Sequence, residues 1–160
     1  MVQHGKITSV LALLAFVALC FGAAFFGARF EPGAWYAALE KPSWNPPAWI
    51  FAPVWTVLYL AMAVAAWLVW RTRGWAGAAL PLTIFFVQLA LNAAWSWIFF
   101  GLHRMGWALV EIVALEAAIL ATVVLFWRVR PLAGVLLLPY AAWVAFAAVL
   151  NFTLWRMNAP

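Results

Sequence analysis

This 160-residue sequence contains five long apolar runs, and these runs are compatible with only one architecture. They cover residues 7–28, 48–70, 75–100, 106–127 and 131–155, and each has 22 to 26 residues. At about 1.5 Å rise per residue, a helix of this length crosses a hydrocarbon core of about 30 Å. Because backbone polar groups find no water in lipid, each run must be helical. The sequence therefore predicts an all-α integral membrane protein, with residues 1–160 forming a single bundle of five transmembrane helices.

The composition excludes most other classes of protein. The chain is 70% hydrophobic and 8% charged, whereas a soluble domain is about 25% charged. Its nine Lys and Arg residues give a net charge of +5, but they stand singly at the ends of apolar runs. That pattern is typical of loops that contact lipid head groups, so we expect a bilayer partner and no nucleic acid. The first run is longer than the core of a signal peptide, and we interpret it as a retained helix.

The connection between the first two runs, residues 29–47, differs from the other three. It has 19 residues, whereas the others are as short as "RVR". Pro42, Pro46 and Pro47 stiffen it, and it contains the tryptophans Trp35 and Trp44. A belt of interfacial tryptophans is common in membrane proteins, but it accounts poorly for a cluster braced by prolines. Because long structured loops often cover functional sites, we interpret this segment as a lid and call it the lid loop.

Polar and aromatic side chains form stripes within three of the predicted helices. Their spacing of three and four residues places each set on one helix face. The stripes are Trp55, Tyr59, Met62 and Ala66; Gln88, Asn92, Trp95 and Phe99; and Tyr140, Trp143, Ala147 and Asn151. Amides are costly in hydrocarbon, so these faces should point inward. Two interpretations stay open and are compatible: hydrogen bonds between helices, and an aromatic cavity for a flat apolar ligand.

Other residues offer little chemistry. Glu111 and Glu116 lie about 140° apart on the fourth helix, so they do not form a catalytic pair. We expect Glu111 to reach the interface or an arginine, and Glu116 to be neutral or paired. The chain has no aspartate, and His4 and His103 lack the spacing of a metal site. We therefore expect no metal and no required cofactor. Pro139 lies deep enough in the fifth run to predict a kink.

Four blocks of the sequence resemble the TspO/MBR family of bacterial tryptophan-rich sensory proteins and mitochondrial translocator proteins. They are "WYAALEKPSWNPPAW" (35–49), "QLALNAAWSWIFFG" (88–101), "RMGWAL" (104–109) and "PYAAWVAFAAVLNF" (139–152). The resemblance implies a bacterial member that binds protoporphyrin IX and other flat hydrophobic ligands between its helices, below the lid loop. The implied ligand-binding residues are Tyr36, Trp44, Trp55, Tyr59, Asn92, Trp95, Trp143, Ala147 and Leu150. Lys41 and Arg29 would be available for the porphyrin carboxylates.

The resemblance leaves three functions open. The first is a porphyrin receptor, sensor or translocator. The second is an enzyme that degrades porphyrin in light, with Trp55 and Trp143 as the candidate catalytic residues. The third is a structural dimer that modulates partner proteins. Specific cholesterol binding is not expected, because Phe152 stands where the family's sterol pattern has a tyrosine.

Two further expectations concern assembly and topology. The family is usually dimeric, and Ala90-x-x-x-Ala94 is a small-residue pattern that lets helix backbones approach. Five spans place the termini on opposite sides of the membrane. The N-terminal side holds five Lys and Arg residues near span ends and the other side four. This bias favours an inner membrane with a cytoplasmic N-terminus, although family members also occur in outer membranes.

Overall fold

The computed structural model of the protein describes residues 5–159, which leaves His4 outside the described residues. Within that range the structure is helical and contains no strand, and five helices are long and apolar enough to cross a membrane. The long helices are α1 (Lys6–Ala28), α3 (Phe51–Gly77), α4 (Ala79–Ser96), α5 (Met105–Val129) and α7 (Leu138–Asn158). The short ones are α2 (Ala34–Ala38), α6 (Pro131–Val135), a 3₁₀ turn (Ala48–Ile50) and a π-helical turn (Trp97–Gly101). The prediction of an all-α five-span protein is confirmed.

The helix boundaries between the second and third spans depart from the apolar runs, and α4 begins at Ala79 rather than at residue 75. The second span was predicted to end at residue 70, but α3 continues through Arg71 and Arg73 to Gly77. Arginine is a good helix former, so the helix continues beyond the end of the apolar run. Its path is interrupted at Gly74, whose φ of 65° is readily adopted only by glycine.

The fifth span is interrupted just before Pro139, where the sequence predicted a kink. α6 ends at Val135, and α7 begins at Leu138 with Pro139 in its first turn. Proline has no N–H to donate, and this costs little in the first turn of a helix. The predicted kink at Pro139 is confirmed as a break just before it.

The helices pack as a ring that is open on one side. α1 lies against α3 and α4, α4 against α5, and α5 against α7. α3 and α7 make few direct contacts, and α3 meets the fifth span chiefly through α6. The exposed surface carries large apolar side chains, as a lipid-facing surface does.

The three predicted stripes face the interior. Gln88, Asn92 and Phe99 are 1%, 6% and 1% exposed, and Tyr140 and Asn151 are 0% and 1% exposed. Tyr59, Met62 and Ala66 on α3 are also buried. The inward orientation that the spacing predicted is confirmed, and these faces position the site described next.

Candidate functional site

A hydrogen-bonded cluster in the middle of the bundle joins α3, α4 and α7. The Tyr59 hydroxyl donates to Asn92 Oδ1, and Asn92 Nδ2 donates to the Tyr140 hydroxyl at 3.0 Å. The Tyr140 hydroxyl donates in turn to Gln88 Oε1 at 2.9 Å, and Gln88 Nε2 lies 3.9 Å from the sulfur of Met62. Each hydroxyl and amide group therefore has a partner although all of them are buried.

A second polar contact lies nearer the lid loop. Trp95 Nε1 donates to Asn151 Oδ1 at 3.2 Å, and Asn151 Nδ2 donates to the backbone oxygen of Met105 at 2.9 Å. α4, α5 and α7 are thereby joined at this level. The prediction that Gln88, Asn92 and Asn151 make hydrogen bonds between helices is confirmed.

The lid loop is braced by its own side chains. The Tyr36 hydroxyl donates to Asn45 Oδ1 at 3.2 Å, which ties α2 to the proline-rich half of the loop. Burial raises the pKa of Tyr36, and the hydrogen bond to Asn45 lowers it by less, so the phenol stays protonated and can donate. Lys41 Nζ donates to the backbone oxygens of Ala37 and Leu39 and lies 4.9 Å above the Tyr36 ring. Two of the three ammonium donors of Lys41 are therefore used within the loop, whereas Arg29 is exposed at the end of α1.

The first half of the lid loop rests on the end of α4. The Tyr36 ring lies 5.5 Å from Phe100 and 6.3 Å from Phe99, between ring centroids. Trp35 meets Phe99 edge-on at 5.8 Å and stacks on His103 at 4.2 Å. His103 has a φ of 54°, which is uncommon outside glycine. The π-helical turn places Phe99 and Phe100 side by side under the loop, where both rings support it.

Gly101, at the end of that turn, makes room for the start of the lid loop. A Cβ atom at this position would lie 2.9 Å from the ring of Phe30. Only a residue without a side chain lets the Phe30 ring lie so close to the backbone.

The second half of the lid loop rests on α7 and α3. Trp44 lies edge-on to Phe146 at 5.9 Å, and Phe146 lies 5.7 Å from Trp143. Trp143 also meets Phe51, the first residue of α3, at 5.8 Å. These four rings form a continuous series from the lid loop into the bundle.

A further aromatic ring lies against the polar cluster. The Trp55 ring lies 5.4 Å from Tyr59 and 6.1 Å from Tyr140. Trp95 stacks on Phe99 at 4.9 Å. It packs both against the main core of the bundle and against a smaller buried cluster below the lid loop, which consists of Phe99, Ala108, Leu150 and Leu154. Aromatic side chains of α3, α4 and α7 therefore lie together in this part of the bundle.

The structure sorts the nine residues predicted to bind ligand into three neighbouring groups. Trp55, Tyr59 and Asn92 surround Tyr140, and Tyr36, Trp95 and Leu150 contribute to the cluster below the lid loop. The third group consists of Trp143 and Trp44, which are linked through Phe146, and of Ala147, which packs at the edge of the main core.

Sequence reasoning left out Phe100, Phe146 and Asn158. Phe146 follows Trp143 by three residues, so helical spacing could have found it. Phe100 is adjacent in sequence to Phe99 and reaches the site only because of the π-helical turn. Asn158 forms hydrogen bonds with the backbone of the lid loop, and no sequence pattern predicts such a contact.

A lateral groove of about 630 Å³ opens between α3 and α7, on the side where the ring of helices is open. Its lining is almost entirely apolar and comprises Pro53, Val54, Val57, Leu58, Pro139, Ala142 and Trp143. Trp143 therefore belongs both to the lining of the groove and to the aromatic series.

The two carboxyl groups of α5 take no part in the hydrogen bonds of the polar cluster. Both oxygens of Glu111 and Oε2 of Glu116 are buried and find no hydrogen-bond partner within residues 5–159. The expectation that Glu111 reaches the interface or an arginine is wrong, because its position beside the buried face of α5 encloses its carboxyl group. Unpartnered buried oxygens favour the neutral carboxylic acid.

Comparison with known proteins places the chain in a family. The model of the TspO/MBR family matches residues 16–156. The human protein named "Translocator protein" is 49% identical over 139 residues, covering 84% of this chain and 82% of its own length. "Protein CrtK" of Rhodobacter capsulatus is 42% identical over 154 residues, covering 94% of both chains.

A third relative, the "Tryptophan-rich sensory protein" of Cereibacter sphaeroides, is 41% identical over 145 residues, which cover 91% of this chain and 90% of that protein. Five membrane-length helices, an aromatic site below the lid loop and a family match over most of the sequence agree. The chain belongs to the TspO/MBR family of multi-pass membrane proteins.

Proposed function

We propose that this translocator- or sensor-type membrane protein binds a flat hydrophobic tetrapyrrole such as protoporphyrin IX between α3, α4 and α7, below the lid loop. The observation that carries the proposal is the continuous series of rings formed by Trp44, Phe146, Trp143 and Phe51. Offset and edge-on aromatic contacts stabilise a planar ligand that enters such a series.

The polar groups suit such a ligand as well. The hydroxyl and amide groups of Tyr59, Asn92 and Tyr140 are paired with one another, and they would exchange partners to hydrogen-bond pyrrole nitrogens. Propionate carboxylates would extend toward the lid loop, where Arg29 is exposed and Lys41 keeps one ammonium donor.

The rings lie in contact with each other in this structure, at centroid distances of 5.7 to 5.9 Å along the series. A tetrapyrrole would have to part them, so binding requires the lid loop to move. No cofactor is needed for binding of this kind, and the relatives named as translocator and sensory proteins are in keeping with it.

The test is quenching of intrinsic tryptophan fluorescence by protoporphyrin IX, with purified protein in detergent and in the dark. We expect saturable quenching, and Trp143→Leu should weaken the affinity, because this ring joins the lid loop to the bundle. Trp107→Leu is the matched control, since Trp107 is 67% exposed on the outer surface. Unchanged affinity in a folded Trp143→Leu variant would contradict the assignment of the site.

A second function, light-dependent degradation of the bound porphyrin, is favoured by one observation. The ring centroid of Trp55 lies 5.4 Å from that of Tyr59 and 6.1 Å from that of Tyr140. If the Trp55 indole donates an electron to an excited porphyrin, two phenol groups therefore lie beside it. The same sample under illumination separates the two functions. A new absorbing product formed in light, and lost in Trp55→Phe, supports the enzyme, whereas stable bound porphyrin supports the receptor. Absence of any binding would favour a structural dimer that modulates partner proteins.

A further inference from the structure

The lid loop is fastened to the far end of the chain by one side chain. Asn158, the last residue of α7, accepts a hydrogen bond at Oδ1 from the backbone N–H of Glu40 at 2.9 Å. Its Nδ2 donates to the backbone oxygen of Glu40 at 2.9 Å and to that of Leu154 at 2.9 Å. The amide thus pairs with both backbone groups of Glu40, as a neighbouring strand would.

This pair differs in kind from the other contacts of the lid loop. Among the side-chain hydrogen bonds of residues 5–159, it is the one that joins the loop to another helix, because those of Tyr36, Lys41 and Asn45 stay within the loop. The remaining contacts with the bundle are ring contacts such as Trp44 with Phe146. Ring contacts tolerate sliding, whereas a two-point hydrogen bond fixes position and direction.

The chemistry of the pair requires asparagine. Aspartate would keep the acceptor for the N–H of Glu40 and lose both donors, and leucine would lose all three hydrogen bonds at similar volume.

We propose that Asn158 is the latch that holds the lid loop closed, and that its release controls passage of ligand to the aromatic site. The second half of this statement rests on the proposed porphyrin binding. The first half is a property of the chain alone and is tested without a ligand.

The first experiment measures hydrogen–deuterium exchange of the lid-loop amides in the purified full-length protein, for wild type, Asn158→Leu and Asn158→Asp. The amide of Glu40 reports directly, since it is the donor in the pair. Loss of two neutral hydrogen bonds at a partly exposed position should speed exchange by roughly tenfold in Asn158→Leu. The aspartate variant should lie between this and wild type. Thr153→Ala is the matched control, because it removes a hydrogen bond within α7 that does not reach the loop.

The second experiment measures association and dissociation of protoporphyrin IX by stopped-flow tryptophan quenching. Both rates should rise by a similar factor in Asn158→Leu, with little change in the dissociation constant. A purely structural defect would instead weaken equilibrium binding and lower the melting temperature. If Asn158→Leu impairs folding, the same rates are measured with Asn158→Asp.

Other results of these two experiments would contradict the proposal. Unchanged exchange of the Glu40 amide in both Asn158 variants overturns the latch. Faster amide exchange with unchanged porphyrin rates overturns its control of ligand passage, and slower rates in Ala142→Phe would then assign passage to the lateral groove. If wild-type protein binds no porphyrin, the proposed function fails, and amide exchange still decides whether Asn158 holds the loop.

Discussion

At the scale of single residues, Ala147 shows how a small side chain shapes the candidate site. It lies half-buried on the inward face of α7, one turn after Trp143. A larger residue at this position would occupy space that a bulky ligand needs.

We predict that Ala147→Thr weakens binding of protoporphyrin IX. Added atoms in a packed site typically cost about 1–3 kcal/mol, so affinity should fall by about fivefold or more in quenching titrations. Ala145→Thr places the same change on the exposed face of α7 and should bind as wild type does. Equal or tighter binding by a folded Ala147→Thr variant would remove Ala147 from the site.

Tyr140 makes two hydrogen bonds between helices. Its hydroxyl accepts from Asn92 and donates to Gln88, and the side chain is 0% exposed. It therefore links two residues of α4 to α7.

We predict that Tyr140→Phe lowers stability, because it leaves the Asn92 donor and the Gln88 acceptor buried without partners. The cost should be about 1–3 kcal/mol, seen as a lower midpoint of thermal unfolding in detergent. The double variant Tyr140→Phe, Gln88→Leu should recover part of the loss, since it removes one orphaned group. A single variant as stable as wild type would mean that water or relaxation replaces these bonds.

At the scale of elements, the outward face of α4 is the surface that we propose for a homodimer. Ala90 is exposed and Ala94 half-buried, so both face away from the core stripe of Gln88 and Asn92. Small residues on such a face allow two helices to approach closely.

We predict that Ala90→Leu shifts the protein from dimer to monomer in mild detergent, measured by light scattering coupled to size exclusion. Ala114→Leu makes the same change on the exposed face of α5 and should leave the mass unchanged. A dimer that survives Ala90→Leu would exclude this face.

The elements also show how far the sequence could predict the fold. The long spans follow from hydropathy, and the inward faces follow from the spacing of Gln88, Asn92 and their counterparts, because both depend on local patterns. α2 has five residues, too few for a periodic signal, and the extension of α3 to Gly77 is polar. The π-helical turn has no compositional signature. Its residues Phe99 and Phe100 contact Trp35 and Tyr36 of the lid loop, and such long-range contacts are specified only in the folded chain.

The candidate site could likewise be predicted only in part from the sequence. Aromatic and amide residues on one helix face could be assigned to a common interior, and the structure brings Trp55, Tyr59 and Asn92 around Tyr140. The positions at which the lid loop touches the bundle could not be predicted. They depend on the path of an irregular segment and on contacts between residues 118 positions apart.

At the scale of the whole molecule, we propose an inner-membrane protein with its N-terminus in the cytoplasm. Residues 71–74 would then face the cytoplasm, and the lid loop and the end of α7 the opposite side. The proposal depends on a difference of one positive charge between the two sides.

We predict that a cysteine at Ala76, just after the "RTRG" segment, resists a membrane-impermeant maleimide in intact cells, whereas one at Ser43 in the lid loop reacts. Both positions are exposed, and the native Cys20 is 0% exposed and should give little background. Labelling after permeabilisation controls for accessibility. The reverse pattern would establish the opposite orientation.

The contact between Asn158 and Glu40 has a consequence for how this loop tolerates mutation. It uses only the main chain at position 40, so the identity of that side chain is free to vary. An alanine scan of the loop would therefore pass over Glu40 without effect. Proline at the same position, which lacks the N–H group, or deletion of one neighbouring residue, would disturb the contact severely. The side chains around position 40 could therefore change during evolution without loss of the contact. The length of the loop would have to stay constant, so selection would act on loop length rather than on side-chain identity.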